Sequence, residues 1–261
     1  RCELRLLLVK HVAYASSPSY QSTGLNPSQT YFWRVDASND KGTTTGEVWT
    51  FTTLSDVPQG MVGYWAFDET LSNGLQITDS TSYENHGVLG LDDDDASIRV
   101  AGKVKNALSF ASAATDRYVV SIPSQDQLYL SKGSFSLSFW MKAGASLLPQ
   151  DNNQSAYLLC KGSITRNATT GATGKRFDIE FKNKQLRFAI DDDAQKRELQ
   201  YTATEMFNNE WQHVVVIRDV AARKLRLFVN GAQVKEVDGS NVGGIGEDSD
   251  LILGNIGELE F

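Results

Sequence analysis

Short runs in which apolar and polar residues strictly alternate recur along the chain. The run FSLSFWMK would place four apolar side chains on one side of an extended strand, namely Phe135, Leu137, Phe139 and Met141. The runs TYFWRVDA, FDIEF, LRFAI and LRLFV alternate in the same way, and successive side chains of a strand point to opposite faces. No long segment has the 3.6-residue period of an amphipathic helix. The pattern predicts an all-β fold.

The connections between these runs carry turn residues. Asn230 and Gly231 separate LRLFV from AQV, and Asn-Gly is a strong signal for a two-residue hairpin because both residues tolerate positive φ. Gly, Asn, Asp and Ser residues separate the other runs. Short strands joined by such turns are typical of an antiparallel sandwich or jelly roll.

Composition limits both the fold and the partners. The 261 residues are enough for one large β domain or two ordinary domains, and 41% of them are hydrophobic. A net charge of −7 excludes the whole-chain basic footprint of nucleic-acid-binding proteins. No apolar run approaches the roughly 20 residues of a membrane-spanning helix, so no membrane span is predicted. The two cysteines, Cys2 and Cys160, fall in different predicted modules, and a disulfide between them is not expected.

A polar, proline-containing stretch divides the chain. Residues 54–59 are predicted to be a linker between a module at 1–53 and a module at 60–261. In the first module, Tyr31 opens a strand after LNPSQT, and its hydroxyl is expected to bond back to the backbone near Leu25 as a tyrosine corner. With the strand EVWTFTT, this segment resembles the second half of a fibronectin type III domain. The resemblance implies a partial immunoglobulin-like sandwich that acts as a spacer, since a whole one needs roughly 100 residues.

The second module carries an ordered series of motifs: VGYWAFDE, DSTSYENHGVL, GKVKNALSF, FSLSFWMKA, LLCKG, EWQHVVVIRD and LRLFVNGAQV. The series resembles the laminin-G-like, concanavalin A-like jelly rolls of secreted multidomain proteins. The resemblance implies a jelly-roll sandwich, an extracellular or cell-surface location, and further domains linked to this one in the intact protein. Because the family continues past LILGNIGELEF into a final strand, the jelly roll is expected to lack its last strand.

Two acids follow the aromatic segment GYWAF. Trp65 and Phe67 are predicted to share one face of an early strand, with Asp68 where the strand leaves the sheet. Asp68 is then either a solvated or turn-capping acid or a calcium ligand, since calcium takes six to eight oxygen ligands. Laminin-G-like jelly rolls often bind a structural calcium ion. The resemblance implies Asp68, Asp79 and Asn85 as candidate ligands.

The sequence RFDIEF resembles the catalytic E-x-D-x-E strand of laminarinase-type glucanases. Asp178 and Glu180 would point to one face, and retaining glycosidases use two carboxylates. Arg176 stands where that family has its nucleophile, which removes the covalent mechanism, and this strand face is predicted to be exposed. His213 is predicted to be a hydrogen-bonded core histidine. The chain is therefore not expected to be an enzyme.

Trp140 is predicted to point away from the apolar face of FSLSFWMK. Either a loop covers it, or it is a platform for a pyranose ring, whose C–H groups stack on aromatic faces while polar neighbours bind the hydroxyls. If the strands around it share a sheet, as the resemblance implies, a concave ligand-binding surface is predicted from six residues: Trp140, Asp178, Glu180, Arg187, Arg226 and Phe228.

Two functions of different classes follow. A non-catalytic carbohydrate-binding or adhesion module, with a polysaccharide or other glycan as its partner, requires Trp140 to be exposed beside polar side chains. A structural or protein-adhesion module without a glycan pocket requires Trp140 to be covered, with loops of region 151–173 filling the concave face. A glycoside-active jelly roll is the third alternative.

Overall fold

The computed structural model describes residues 25, 29–53, 58, 60–69, 75–90, 98–110, 119–144, 155–162, 165–167, 171–246 and 248–256. The chain divides into two compact units, Arg1–Met61 and Val62–Phe261. Within the described residues every regular element is a β-strand, apart from two 3₁₀ turns at Asp126–Leu128 and Thr204–Met206. The all-β prediction is confirmed. The predictions that concern Cys2 and most of the linker lie outside the described residues.

The first unit contributes four short strands: β1 (Thr30–Arg34), β2 (Ala37–Asn39), β3 (Gly42–Thr44) and β4 (Val48–Thr52). β1 pairs antiparallel with β4, and β2 pairs antiparallel with β3. The first pairing stacks Tyr31 on Phe51 and sets Trp33 against Trp49, with ring centroids 5.7 and 4.6 Å apart. The partial fibronectin type III domain and its tyrosine corner stay predictions.

The second unit contributes the other strands, in chain order: β5 (Gln76–Ile77), β6 (Gly87–Gly90), β7 (Arg99–Ala101), β8 (Asn106–Leu108), β9 (Val119–Ile122), β10 (Phe135–Lys142), β11 (Ser155–Gly162), β12 (Thr165–Asn167), β13 (Gly171–Thr173), β14 (Lys175–Lys182), β15 (Gln185–Asp192), β16 (Lys196–Thr202), β17 (Trp211–Asp219), β18 (Lys224–Val229), β19 (Ala232–Asp238) and β20 (Leu251–Ile256).

These strands build two main antiparallel sheets. The small sheet has the order β10-β17-β18-β19, and the large sheet has the order β16-β15-β14-β11-β20-β9-β6-β5. β7 pairs with β8 and β12 pairs with β13 as separate two-stranded ribbons. The predicted concanavalin A-like sandwich is therefore present as two layers.

One hydrophobic core lies between the two sheets. Phe135 of the small sheet meets Phe177 and Phe188 of the large sheet, with ring centroids 5.1 and 6.2 Å apart. The four apolar side chains predicted to share one face of β10 all pack against this core. Burying each such side chain fully stabilises the fold by about 1.5–3 kcal/mol, so alternation on β10 fixes which of its faces is inward.

The predicted hairpin turn is confirmed. Asn230 and Gly231 connect β18 to β19 with φ of 50° and 82°, the positive values that a type I′ turn requires. A second turn of this kind joins β14 to β15 through Asn183 and Lys184, with φ of 53° and 60°. No glycine marks that second turn, and sequence analysis did not identify it.

The predicted early strand around GYWAF is wrong. Its one ladder contact is an isolated bridge between Trp65 and Asp79, and Phe67 has φ of 61°, which is left-handed backbone that ends an extended run. Trp65 and Phe67 pack against the core as predicted, but Tyr64 is 44% exposed. Within the described residues, no helix is long and apolar enough to span a membrane.

Candidate functional site

An aromatic surface lies on the outer face of the small sheet. Along β10, burial alternates residue by residue, so Trp140 points away from the core and is 45% exposed. Its partner across the ladder is His213 of β17, and the two rings lie 5.0 Å apart at 37°. We call this region, with Ser138, Lys142 and Lys103 described below, the Trp140 surface.

His213 belongs to that outer face. Its Nε2 lies 2.9 Å from the hydroxyl of Ser138, and its backbone N–H donates to Asn230 Oδ1 at 2.9 Å. The prediction of a core histidine is wrong, because the inward positions of β17 are the alternate ones, which include Val214 and Val216. The hydrogen bond that was predicted for His213 is present.

Two lysines border the exposed ring. Lys103 lies in the turn between β7 and β8, and its Nζ is 5.4 Å from the centre of the Trp140 ring, within reach of a cation–π interaction. Lys142 follows Trp140 on the same face and is exposed; its ladder partner is Trp211. Trp140 thus stands among polar and cationic groups.

Ion pairs occupy the other end of the same outer face. Arg226 lies 2.7 Å from an oxygen of Asp219 and 2.8 Å from an oxygen of Glu236, and Lys224 lies 3.1 Å from Glu236. Phe228 is half-buried on this face, opposite Val215. Arg226 therefore already has two carboxylate partners. Phe228 adds apolar area to the outer face that also carries the Trp140 surface.

The remaining three predicted ligand-binding residues lie in the other sheet. Asp178 and Glu180 are on β14 and Arg187 is on β15, in the large sheet. Because the two sheets share one core, their outer faces are on opposite sides of the sandwich. The single surface of six residues is therefore wrong: Trp140, Arg226 and Phe228 lie on one side, and the other three on the other.

The predicted exposed face of β14 is also wrong. Asp178 and Glu180 are 4% and 6% exposed, and Arg176 is 4% exposed. The Arg176 guanidinium donates to Asp178 at 2.9 Å and to Asp191 at 3.0 Å. Two carboxylates that share one cation can be buried together because each keeps a charged hydrogen-bond partner.

Two groups in and beside this buried cluster, Asp178 and Cys160, have raised pKa values. Burial raises the pKa of Asp178 to about 6, against the opposing effect of the Arg176 guanidinium. Burial also raises the pKa of the Cys160 thiol to about 12, so this cysteine is an unreactive thiol. Glu180 Oε2 is buried and has no hydrogen-bond partner within the described part of the chain. Arg176, which the sequence resemblance sets at the position of the glucanase nucleophile, is bound by a carboxylate on each side.

The three predicted calcium ligands divide into two groups. Asp68 contacts Lys105 Nζ at 3.1 Å and the backbone N–H of Asn106 at 3.1 Å. Asp79 and Asn85 lie together elsewhere: the N–H of Asn85 donates to Asp79 Oδ2 at 2.9 Å. In the described part of the chain, no cluster of three or more His, Cys, Asp or Glu side chains has the arrangement of a metal site.

The Asp79 carboxylate is instead the centre of a hydrogen-bond network. Its carboxylate accepts the N–H groups of Tyr64, Thr81 and Asn85 and the hydroxyl of Thr81, all at 2.7–2.9 Å. These donors lower the pKa of Asp79 against the opposing effect of burial. Trp65 Nε1 donates to the carbonyl of Asn85 at 2.8 Å and ties the two segments together. An oxygen that accepts such donors has no lone pair aimed at a cation, so the contacts of Asp79 do not fit calcium.

Sequence reasoning missed three functional candidates. Lys103 comes from a turn far from β10 in sequence, and nothing local connects it to Trp140. Lys142 was visible in FSLSFWMK as an alternate-face neighbour of Trp140. The outward position of His213 follows from WQHVVVIRD only if Val214 and Val216 are chosen as the inward set, and the sequence allowed both choices.

Comparison with known proteins agrees with this architecture. The family described as the concanavalin A-like lectin/glucanases superfamily matches residues 112–257, which is more than half of the chain. No curated protein matches the chain.

Among solved structures, the binding domain of Paraclostridial Mosquitocidal Protein 1 has a TM-score of 0.54 at 13% identity, and the match covers 74% of this chain and 43% of that one. The binding domain of botulinum neurotoxin serotype D has a TM-score of 0.51 at 17% identity, covering 69% of this chain and 40% of that one. The receptor binding domain of botulinum neurotoxin C/D mosaic serotype has a TM-score of 0.51 at 16% identity, with coverages of 69% and 40%.

This chain spans less than half the length of each of these structures, and likeness at such low identity reports a shared fold. The match over 112–257 extends from before β9 to β20, and so includes the whole small sheet and most of the large one. The chain belongs to the concanavalin A-like lectin/glucanase superfamily.

Proposed function

We propose that the second unit is a non-catalytic carbohydrate-binding module and that the Trp140 surface is its glycan platform. The observation that carries this proposal is the 45% exposure of Trp140 on an outer sheet face, beside polar side chains. A covered Trp140 would have favoured a structural or protein-adhesion module instead. The exposed ring supports the carbohydrate reading.

The chemistry of the surface suits a pyranose. The C–H groups of one sugar face pack on the indole ring, and the hydroxyls at the sugar rim need hydrogen-bonding neighbours. Ser138 and His213 already form a polar pair at 2.9 Å next to the ring. The ammonium group of Lys103 can swing from the ring to a sugar oxygen, since Lys103 is an exposed side chain on a turn.

The β14 strand supports a non-catalytic role. A retaining glycosidase needs a free carboxylate as nucleophile, and Arg176 stands at that position, held between Asp178 and Asp191. Asp178 and Glu180 are buried and face away from the Trp140 surface. Substrate bound at Trp140 would therefore not meet the two carboxylates.

We propose that this module is extracellular or at the cell surface and is joined to other domains in the intact protein. The similar solved structures are two binding domains and one receptor binding domain. This is consistent with a binding role, while the glycan proposal itself rests on Trp140. The partner would be a polysaccharide or a glycan of a surface.

Binding of the purified chain to a panel of insoluble and soluble polysaccharides tests the proposal. Trp140→Ala is expected to weaken binding at least tenfold, or about 1.4 kcal/mol, since an exposed Trp that a ligand covers is a typical anchor of an interface. Tyr83→Ala is the matched control, because Tyr83 is 46% exposed and lies outside the small sheet. Glu180→Gln tests the opposite side of the sandwich and is expected to bind like the unmodified chain.

The outcomes separate the two classes of function. Loss of glycan binding in Trp140→Ala alone, with an unchanged thermal unfolding midpoint, supports the glycan platform. A folded chain that binds no member of the panel would overturn the proposal and favour the structural or protein-adhesion module. Loss in Glu180→Gln alone would move the site to the large sheet.

A further inference from the structure

The charges on the outer face of the small sheet are distributed unevenly. At the end near β19, the positive Arg226 and Lys224 are matched by Asp219 and Glu236 at distances of 2.7–3.1 Å. At the Trp140 end, Lys103 lies over the ring and Lys142 follows Trp140 on the same strand face. Within the described residues, no carboxylate forms an ion pair with either of these lysines.

From this we infer that the Trp140 surface selects anionic glycans, those with carboxylate or sulfate groups, over neutral ones. The inference rests on the proposed function and goes further, because it names the class of glycan. A stacked sugar ring on Trp140 would bring its substituents to the rim of the indole, where Lys103 and Lys142 stand. An ammonium group and a carboxylate or sulfate form a charge-assisted hydrogen bond, which is stronger than one to a neutral hydroxyl.

The overall charge of the chain makes this local pair of lysines informative. With a net charge of −7, the protein as a whole repels anions. Beside the most exposed tryptophan of the second unit, the chain instead places two positive charges without carboxylate partners among the described residues. A neutral sugar can offer these lysines only hydroxyl oxygens, which the Ser138 and His213 pair can also bind, whereas an anionic sugar offers them an opposite charge.

The position of Lys103 adds a second feature. Its ammonium lies over the Trp140 ring at 5.4 Å, which shields part of the ring. A neutral sugar would have to displace this cation from the ring without offering it a charged partner. An anionic sugar offers such a partner, so the displaced Lys103 becomes part of the complex.

Two matched pairs of probes test the inference. The first is a hexagalacturonate and its fully methyl-esterified form, which share one backbone and differ in charge. The second is a sulfated laminaran and the unsulfated polymer. We expect the unmodified chain to bind at least one anionic probe about tenfold more tightly than its neutral partner, with the difference falling as NaCl is raised from 50 to 500 mM.

The variants assign this difference to the two lysines. The double variant K103Q/K142Q is expected to weaken binding of the anionic probe about tenfold, which is the upper range for two exposed ion pairs. Binding of the neutral probe is expected to weaken by less than about threefold, since only hydrogen bonds to sugar hydroxyls are lost there. K235Q is the matched control, because Lys235 is an exposed lysine on β19, three strands from β10. It is expected to bind both probes like the unmodified chain.

The possible failures are distinguishable. If neutral and anionic probes bind equally, or if K103Q/K142Q weakens both equally, the selectivity for anions is overturned while the glycan platform stands. If the folded chain binds neither these probes nor the wider polysaccharide panel, the proposed function fails and the inference fails with it. Equal loss in K235Q would show a general charge effect and would also overturn the inference.

Discussion

The two sheets of the second unit differ in how their outer faces handle polar groups. On the small sheet, Trp140 is 45% exposed, and the ion pairs of Arg226 are within reach of water. On the large sheet, Arg176, Asp178 and Asp191 are at most 6% exposed and bind one another. Charges in contact with water can rearrange around a ligand, whereas buried charges are held by the partners they already have. This difference supports the proposal that the small sheet carries the binding surface, while the charges of the large sheet support the fold.

The sharpest test of this difference replaces one arginine on each face by methionine. Arg176→Met leaves two buried carboxylates without their cation and is expected to cost about 3–5 kcal/mol of unfolding free energy. Arg226→Met removes ion pairs of a side chain in contact with water, and little change is expected. Urea unfolding of both variants measures the difference. Equal effects would contradict the contrast between the two faces.

A pH series sharpens the same contrast. Burial raises the pKa of Asp178 in the folded chain to about 6, from an ordinary value of 3.8. The folded chain therefore keeps this proton between about pH 4 and 6, while the unfolded chain releases it, so the contribution of Asp178 to stability falls as pH rises through this window. In Asp178→Asn this titration is absent. The unfolding free energy of the variant relative to the unmodified chain is therefore expected to rise by about 2 kcal/mol from pH 4 to pH 7.

Asp219→Asn serves as the control for that series. Hydrogen bonds from Ala222 and Arg226 lower the pKa of Asp219, so its stabilising contribution is lost as pH falls through its folded-state pKa. The difference between this variant and the unmodified chain is expected to change in the opposite direction. If Asp178→Asn and Asp219→Asn respond alike, the two faces do not differ in the way described.

The smallest effect concerns calcium. Because the Asp79 carboxylate already accepts four donors, adding calcium or a chelator is expected to move the thermal unfolding midpoint by less than about 1 °C. Asp79→Asn takes a carboxylate acceptor away from those donors and is expected to lower the midpoint clearly. That variant serves as a check that the measurement is sensitive to this region. A calcium-dependent rise that Asp68→Asn abolishes would restore the cation site predicted from the sequence.

Local patterns predicted the parts of the fold that depend on neighbouring residues. Alternation on β10 identified its inward face, and Asn230-Gly231 identified the β18–β19 turn, because both signals act within a few residues. The segment around Phe67 was predicted as a strand from its aromatic residues. It is held instead by the contacts of Asp79 with a later turn, which no local pattern contains.

The candidate site was harder to predict, since it depends on which strands share a sheet. Asp178 and Arg226 both alternate away from the core, and only the strand order places them on opposite sides of the sandwich. The sequence RFDIEF also fits both an exposed strand face and a buried ion-paired one, so it could not predict that its charges are buried. Trp140 was found because a tryptophan opposite an apolar face is unusual. Lys103, whose ammonium lies over its ring, was not found because it belongs to a separate two-stranded ribbon.

The place of β20 has a consequence for how the protein is made. In the large sheet β20 lies between β11 and β9, and it is the only described strand that joins these two parts of the sheet. During synthesis, β16, β15, β14 and β11 can assemble on one side and β9, β6 and β5 on the other, but the two halves stay unjoined until Leu251–Ile256 has left the ribosome. Until β20 pairs, the nascent chain carries two open sheet edges, at β11 and at β9, and long-range pairing of this kind is slow.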